Sequence, residues 1–298
     1  MLKGFFRVLS ALVFCCAPLL AQSASTGELR AQIEQISRDA KGRVGVALTL
    51  LESGESVALQ GDQRFPMQSV YKLPIGMAVL NQIDQGRLKL DQIVRVTKKD
   101  FVRAGQHSPI RDKNPRGVQL SVRELLRFMV SESDGTACDV LLGLVGGPSV
   151  VTSYLRGLGI QGINVADTEK EIGKNISVQY RNWASPEAMV ELLHAIHKGK
   201  GLSAASRALL LQLMVETSTG PQRIKGLLPA GTIVAHRTGS SGEANGLAPA
   251  TNDVGLITLP NEKRVAVAVF VSDSKADRAV REAVIARIAK AAWDFWGN

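Results

Sequence analysis

Ser69 and Lys72, in Ser69-Val70-Tyr71-Lys72, stand three residues apart, so on a helix they share one face and can touch. A serine hydroxyl becomes a competent nucleophile when a neighbour takes its proton. A lysine can be that neighbour if burial or a nearby cation lowers its pKa. The start of a helix adds a backbone N–H for a developing oxyanion. The pattern alone is weak, because Ser272-Asp273-Ser274-Lys275 repeats it at a predicted strand end.

Company separates the two matches. Ser133-Asp134-Gly135 follows a predicted helix ending near Val130, and His236-Arg237-Thr238-Gly239 ends a predicted strand. A strand-end Arg-Thr-Gly can offer a carboxylate a cation, a hydroxyl and a closely approaching backbone. Taken singly, the first stretch reads as a capped turn and the second as a strand-to-turn transition. His194 and His197 lie three apart on a predicted helix, but no third ligand stands at a sensible spacing, so they read as a surface pair. A Ser-His-Asp site would need one of only four histidines, and the chain has no Gly-x-Ser-x-Gly elbow.

The elements that must hold these residues come in three blocks. Residues 28–39 have helical spacing, and Val44, Val46, Leu48 and Leu50 alternate as a strand that a Ser53-Gly54 turn folds back. From 62 to about 212 the chain is mainly helical, near 70–85, 119–130, 136–144, 148–157, 186–198 and 203–214. Ser121 with Glu124 is a capping box, and Ser185-Pro186-Glu187 marks another helix start. Residues 159–183 are polar and irregular, and a loop of that length inside a compact domain is usually functional. Strands return at 232–237, 253–259 and 265–271, and a helix closes the chain over 276–295. The two ends, 25–61 and 213–298, are expected to share one antiparallel sheet, since a lone hairpin is barely stable. The middle, 62–212, forms a helical domain, with a substrate cleft between them.

The 298 residues are 45% hydrophobic and 21% charged, ordinary for a globular protein. Lys3 and Arg7, the apolar run Leu9–Leu20 and small residues at 21–24 read as an export signal over 1–24. Cys15 and Cys16 fall inside it, leaving Cys138 as a small buried hydrophobe with no disulfide partner. The net charge of +9 comes with only 5% aromatic residues and no dense basic run, so we expect a solvated basic surface and no nucleic-acid partner.

In this order and these settings, the motifs resemble those of the class A serine β-lactamases, whose signature is Ser-x-x-Lys, Ser-Asp-Asn and Lys-Thr-Gly. The resemblance covers essentially all of the chain after the signal. It implies an α/β (α+β) fold, with a five-stranded antiparallel sheet flanked by helices plus an all-helical domain, and hydrolysis of β-lactam small molecules through a serine acyl-enzyme. No cofactor, metal or membrane is expected, and the mature protein is expected to be a periplasmic monomer.

The resemblance assigns Ser69 as nucleophile, Lys72 or Glu169 as its base, and Ser133 as proton donor to the leaving nitrogen. Arg237 and Thr238 would hold the substrate carboxylate, with Gly239 beside them, and the N–H groups of Ser69 and Ser240 would form the oxyanion hole. Glu169 lies 36 residues after Ser133 in Glu169-Lys170-Glu171-Ile172-Gly173, the place of the family's omega-loop base; Glu171 is the competitor. Three positions depart from the family. Gly135 replaces Asn, Arg237 replaces Lys with a different donor geometry, and Gly173 stands where an Asn helps hold the deacylating water. His107 matches an aromatic gate position. The alternatives are a penicillin-binding D-alanyl-D-alanine peptidase and a slow-turnover β-lactam-binding protein.

Overall fold

A computed structural model describes residues 25–297; the export-signal reading of 1–24 lies outside the described residues. The chain runs α1 (Thr26–Ser37), β1 (Arg43–Leu50), β2 (Ser56–Leu59), β3 (Phe65–Pro66), α2 (Lys72–Asp84), β4 (Ile93–Val96), α3 (Pro109–Lys113), β5 (Val118–Ser121), α4 (Val122–Val130) and α5 (Gly135–Leu144). It continues through α6 (Pro148–Gly157), β6 (Ile163–Asn164), α7 (Glu169–Ile172), β7 (Trp183–Ala184), α8 (Pro186–Lys198) and α9 (Ala204–Val215). The last elements are β8 (Val234–Ser240), β9 (Ala248–Thr258), β10 (Arg264–Ser274) and α10 (Arg278–Trp296).

Both ends of the chain build the main sheet, which is antiparallel in the order β2-β1-β10-β9-β8. Strand alternation sorts its side chains onto two buried faces. On β10, Val265, Val267, Val269 and Val271 pack with α1 and α10, whereas Ala266, Ala268 and Phe270 face the helical middle. Small residues on that second face let α8 lie close to β1 and β10. Ser121 and Glu124 form the capping box at α4, and Ser185 caps α8 ahead of Pro186.

The larger core surrounds α2, which is buried from Lys72 through Leu80. Helices α4, α5, α6 and α9 pack around it. That burial fixes the helix, and the catalytic candidates at its N-terminal end hang from a rigid post. Short strands β3, β7 and β6 tie residues 65–66 to both ends of the irregular stretch expected at 159–183.

Candidate active site

Ser69 lies in a single 3-10 turn, Gln68–Tyr71, and Lys72 begins α2 immediately after it. A 3-10 turn nearly eclipses residues i and i+3, so it brings the two side chains together more directly than an α-helix does. Lys72 Nζ is 3.1 Å from Ser69 Oγ, and its residue is only 1% exposed. A buried ammonium needs partners. Its partners are the Ser133 carbonyl at 2.8 Å, Ser133 Oγ at 3.4 Å and Glu169 Oε1 at 2.8 Å. The turn is held from outside by Asn252, which donates from Nδ2 to the carbonyls of Pro66 and Met67 at 2.8 and 3.1 Å.

Ser133 sits at φ +65°, a left-handed conformation that aims its hydroxyl and carbonyl at Lys72. The next residue, Asp134, is fully buried and caps α5 by accepting from the Ala137 N–H; it also accepts from the Ile110 N–H at 2.7 Å. Burial raises the Asp134 pKa, against the lowering effect of those donors. Gly135 fits a tight space: a Cβ there would come within 3.2 Å of the His107 carbonyl, 3.3 Å of Val102 and 3.5 Å of the Glu169 side chain. His107 is exposed at the rim of the site, and its Nε2 lies 2.9 Å from the Glu132 carbonyl.

The loop glutamate is placed by its own backbone. Glu169 begins the one-turn helix α7, which Thr168 caps. Asp139 on α5 accepts from the N–H groups of Glu169 and Lys170, at 2.6 and 3.0 Å. Burial pushes the Asp139 carboxyl up to about 6, outweighing those two donors. The base of the loop is closed by buried Asn182, whose Oδ1 accepts from the Ala166 and Asp167 N–H groups at 2.7 and 2.9 Å. The Asn182 carbonyl accepts from Met67 N–H at 2.9 Å, so one residue couples the loop to the Ser69 turn. Glu171, the competitor, pairs with Lys174 in solvent.

Arg237 stands behind the cleft wall. It is fully buried, and donates from Nε to the Ser69 carbonyl at 3.0 Å, from Nη1 to the Val130 carbonyl at 2.9 Å and from Nη2 to Ser133 Oγ at 2.5 Å. Its guanidinium therefore stands behind Ser69 and Ser133, clamping them to each other, rather than facing the cleft. Burial lowers its pKa to about 10, which leaves it charged at neutral pH. Thr238 is also buried, with its hydroxyl 2.5 Å from that of Thr219. Gly239 is required where β8 passes the nucleophile turn, since a Cβ would lie 2.3 Å from the Met67 carbonyl oxygen. Ser240 is exposed and lines the cleft.

The cleft has a volume of about 420 Å³ and exposes Ser69, Lys72, Ser133, Glu169, His107 and Ser240 together. Arg237, Thr238, Gly239 and Gly135 pack behind this wall. Four positioning residues went unrecognised in the sequence: Asp139, Asn182, Asn252 and Arg223. The buried Arg223 donates to the Gly239 carbonyl at 3.1 Å and to Ser240 Oγ at 2.6 Å, steadying the end of β8. Only Asp139 leaves a local signal, a single carboxylate inside the apolar run 137–142. His236 and Asp253 do form a buried pair, Nδ1 to Oδ2 at 2.9 Å, but among the described residues His236 Nε2 has no hydrogen-bond partner, so it contacts no serine hydroxyl there.

The fold and this cluster are those of a serine hydrolase, with a buried lysine and a half-buried glutamate beside the serine. A model of the β-lactamase enzyme family matches residues 28–296, and the chain belongs to that family. It is 39% identical to β-lactamase VEB-1 of Pseudomonas aeruginosa over 98% of each chain. The structure of TLA-3 extended-spectrum β-lactamase superposes with a TM-score of 0.90 at 42% identity, over 92% of this chain and 100% of that one. A class A representative from Bacteroides cellulosilyticus gives 0.84 at 36% identity, over 90% of this chain and 98% of that one. The chain is a class A serine β-lactamase.

Proposed function

We propose that this protein opens β-lactam rings through Ser69 and releases the product by Glu169-assisted hydrolysis. The carrying observation is the convergence on one ammonium. Lys72 Nζ is within 3.1 Å of Ser69 Oγ and 2.8 Å of Glu169 Oε1, and it touches Ser133. In the acylation step Ser69 Oγ bonds to the lactam carbonyl carbon while its proton passes either to Lys72 as a neutral amine, its ammonium having first given a proton to Glu169, or through water to the Glu169 carboxylate. The N–H groups of Ser69 and Ser240 bind the oxyanion. The carbon–nitrogen bond then breaks, and Ser133 delivers a proton to the nitrogen. Ser133 is restored by the proton that left Ser69. In the second step water attacks the ester carbonyl, Glu169 takes a proton from that water, and the ester carbon–oxygen bond breaks as that proton passes on to Ser69 Oγ. Arg237 holds Ser133 and the Ser69 backbone for both steps, and its charge attracts the substrate carboxylate from behind the wall.

The D-alanyl-D-alanine peptidase and slow-binding readings are less favoured, because a loop carboxylate 2.8 Å from the lysine supplies what deacylation needs. We further place the mature protein in the periplasm after removal of residues 1–24, acting as a monomer. Amino-terminal sequencing of the exported protein and its sedimentation mass test those two points.

Purified protein is expected to turn over a chromogenic cephalosporin many times. A single stoichiometric burst would overturn the hydrolase reading in favour of a binder. Glu169→Ala should accumulate a covalent adduct visible by intact mass; if Glu171→Ala does so instead, the base is misassigned.

A further inference from the structure

Gln106 lies between β4 and α3 and reaches the omega loop from the opposite side to Asp139. Its Nε2 donates to the Glu169 carbonyl at 2.6 Å, and its Oε1 accepts from the Arg103 N–H at 3.2 Å. Asp139 accepts the N–H of the same residue at 2.6 Å. Two side chains from two separate elements thus grip the main chain of Glu169, one at each polar group. Gln106 is itself held: the Arg111 guanidinium donates to the Gln106 carbonyl at 2.9 Å and to the Val102 carbonyl at 3.2 Å.

Gly173 explains how Gln106 gets there. Its backbone has φ −70° and ψ −10°, ordinary helical values that any residue adopts. Glycine is therefore not needed for conformation. It is needed for room, since a Cβ at 173 would lie 2.5 Å from Gln106 Oε1, 2.6 Å from its Cδ and 2.8 Å from its Nε2. The carboxamide of Gln106 fills the space that a side chain at 173 would take.

We propose that Gln106 is a positioning residue for Glu169, and that glycine at 173 is the feature that admits it. The inference rests on Glu169 acting in release of the acyl group. A base that must aim at one attacking water is sensitive to displacements of about 1 Å, which can cost up to ~100-fold. Loss of the Gln106 grip therefore slows release and leaves acylation close to intact.

The test is steady-state and burst kinetics on Gln106→Ala, Gln106→Glu, Gly173→Ala and the double variant Gln106→Ala/Gly173→Ala. In Gln106→Ala, kcat and KM should fall together by about tenfold or more, with kcat/KM within about twofold and acyl-enzyme accumulating by intact mass. Gln106→Glu keeps the shape but has no donor for the Glu169 carbonyl, so it should be no better. Gly173→Ala should evict the carboxamide and reproduce the defect. The double variant should be no worse than either single, because both remove the same contact. Wild-type release in Gln106→Ala, a fall in kcat/KM at constant KM, or additive defects in the double variant would each overturn the proposal. A Glu169→Ala variant that traps no adduct would overturn the base assignment and the proposal with it. If that variant traps the adduct while Gln106→Ala releases normally, the role of Gln106 alone fails. Thermal melting of each variant separates a lost contact from a lost fold.

Discussion

The chain carries the same four-residue pattern twice, and the two copies meet opposite fates. At Ser69 and Lys72 the backbone is a 3-10 turn running into a helix, so the two side chains converge to 3.1 Å. At Ser272 and Lys275 it is the end of β10. Ser272 is fully buried, its hydroxyl donating to the Pro249 carbonyl at 2.9 Å, while Lys275 is exposed beyond the strand. Successive side chains of a strand point to opposite faces, so a three-residue spacing separates what a helical turn unites. The difference also extends to neighbours. Ser133, Glu169 and Arg237 surround the first pair, whereas beside the second lie β9 and the positive-φ Asp273 of β10 itself, which pairs with no residue of β9. Chemistry resides in the local period and the company rather than in the four letters.

Removing each serine gives the largest contrast. Ser69→Ala should lower cephalosporin turnover by ~10⁴-fold or more. Ser272→Ala should leave kcat and KM unchanged and cost about 1 kcal/mol of stability from the lost buried hydrogen bond. Comparable loss of turnover in both, with Ser272→Ala still folded by its melting curve, would erase the distinction between them. A smaller effect follows from the lysines. Lys72→Met keeps most of the buried length but removes the ammonium, and should cost ~10²–10⁴-fold in kcat/KM. Lys275→Met should be kinetically silent, as measured with the same substrate.

How far the sequence exposes all this depends on range. Helices with strong apolar periodicity appear close to where they were read: 136–144 forms as Gly135–Leu144 and 148–157 as Pro148–Gly157. The sheet from both chain ends follows from counting strands that cannot stand alone. Ser69, Lys72 and Ser133 were visible because their motifs are compact. Arg237 is legible as a residue, but a strand-end cation does not disclose whether it faces the cleft or stands behind its wall. Its three acceptors, Ser69, Val130 and Ser133, are 168, 107 and 104 residues away. The roles of Asn182 and Asp139 are hidden for the same reason. Each is an ordinary polar residue whose importance comes from backbone groups that only folding brings near.

Asp139 supplies the subtlest contrast, since it supports the first pair from a distance and has no counterpart at the second. Burial holds its carboxyl at about 6 in the folded chain, against ~3.9 for an unfolded aspartate. Between those values the folded state keeps a proton that the unfolded state has lost, so stability rises as pH falls through this window. The stabilising contribution is complete below ~3.9 and is lost as pH rises through about 6. Asp139→Asn removes the titration but turns an amide toward two backbone donors, Glu169 N–H and Lys170 N–H, of which it can accept only at its oxygen. Melting temperatures of the wild type and Asp139→Asn, measured from pH 4.5 to 7.5, should therefore run unequally, with the wild type gaining a few degrees on the variant toward low pH. Two parallel curves would show that Asp139 is not the titrating support of the omega loop. A variant that gains on the wild type toward low pH would reverse the sign of its burial cost.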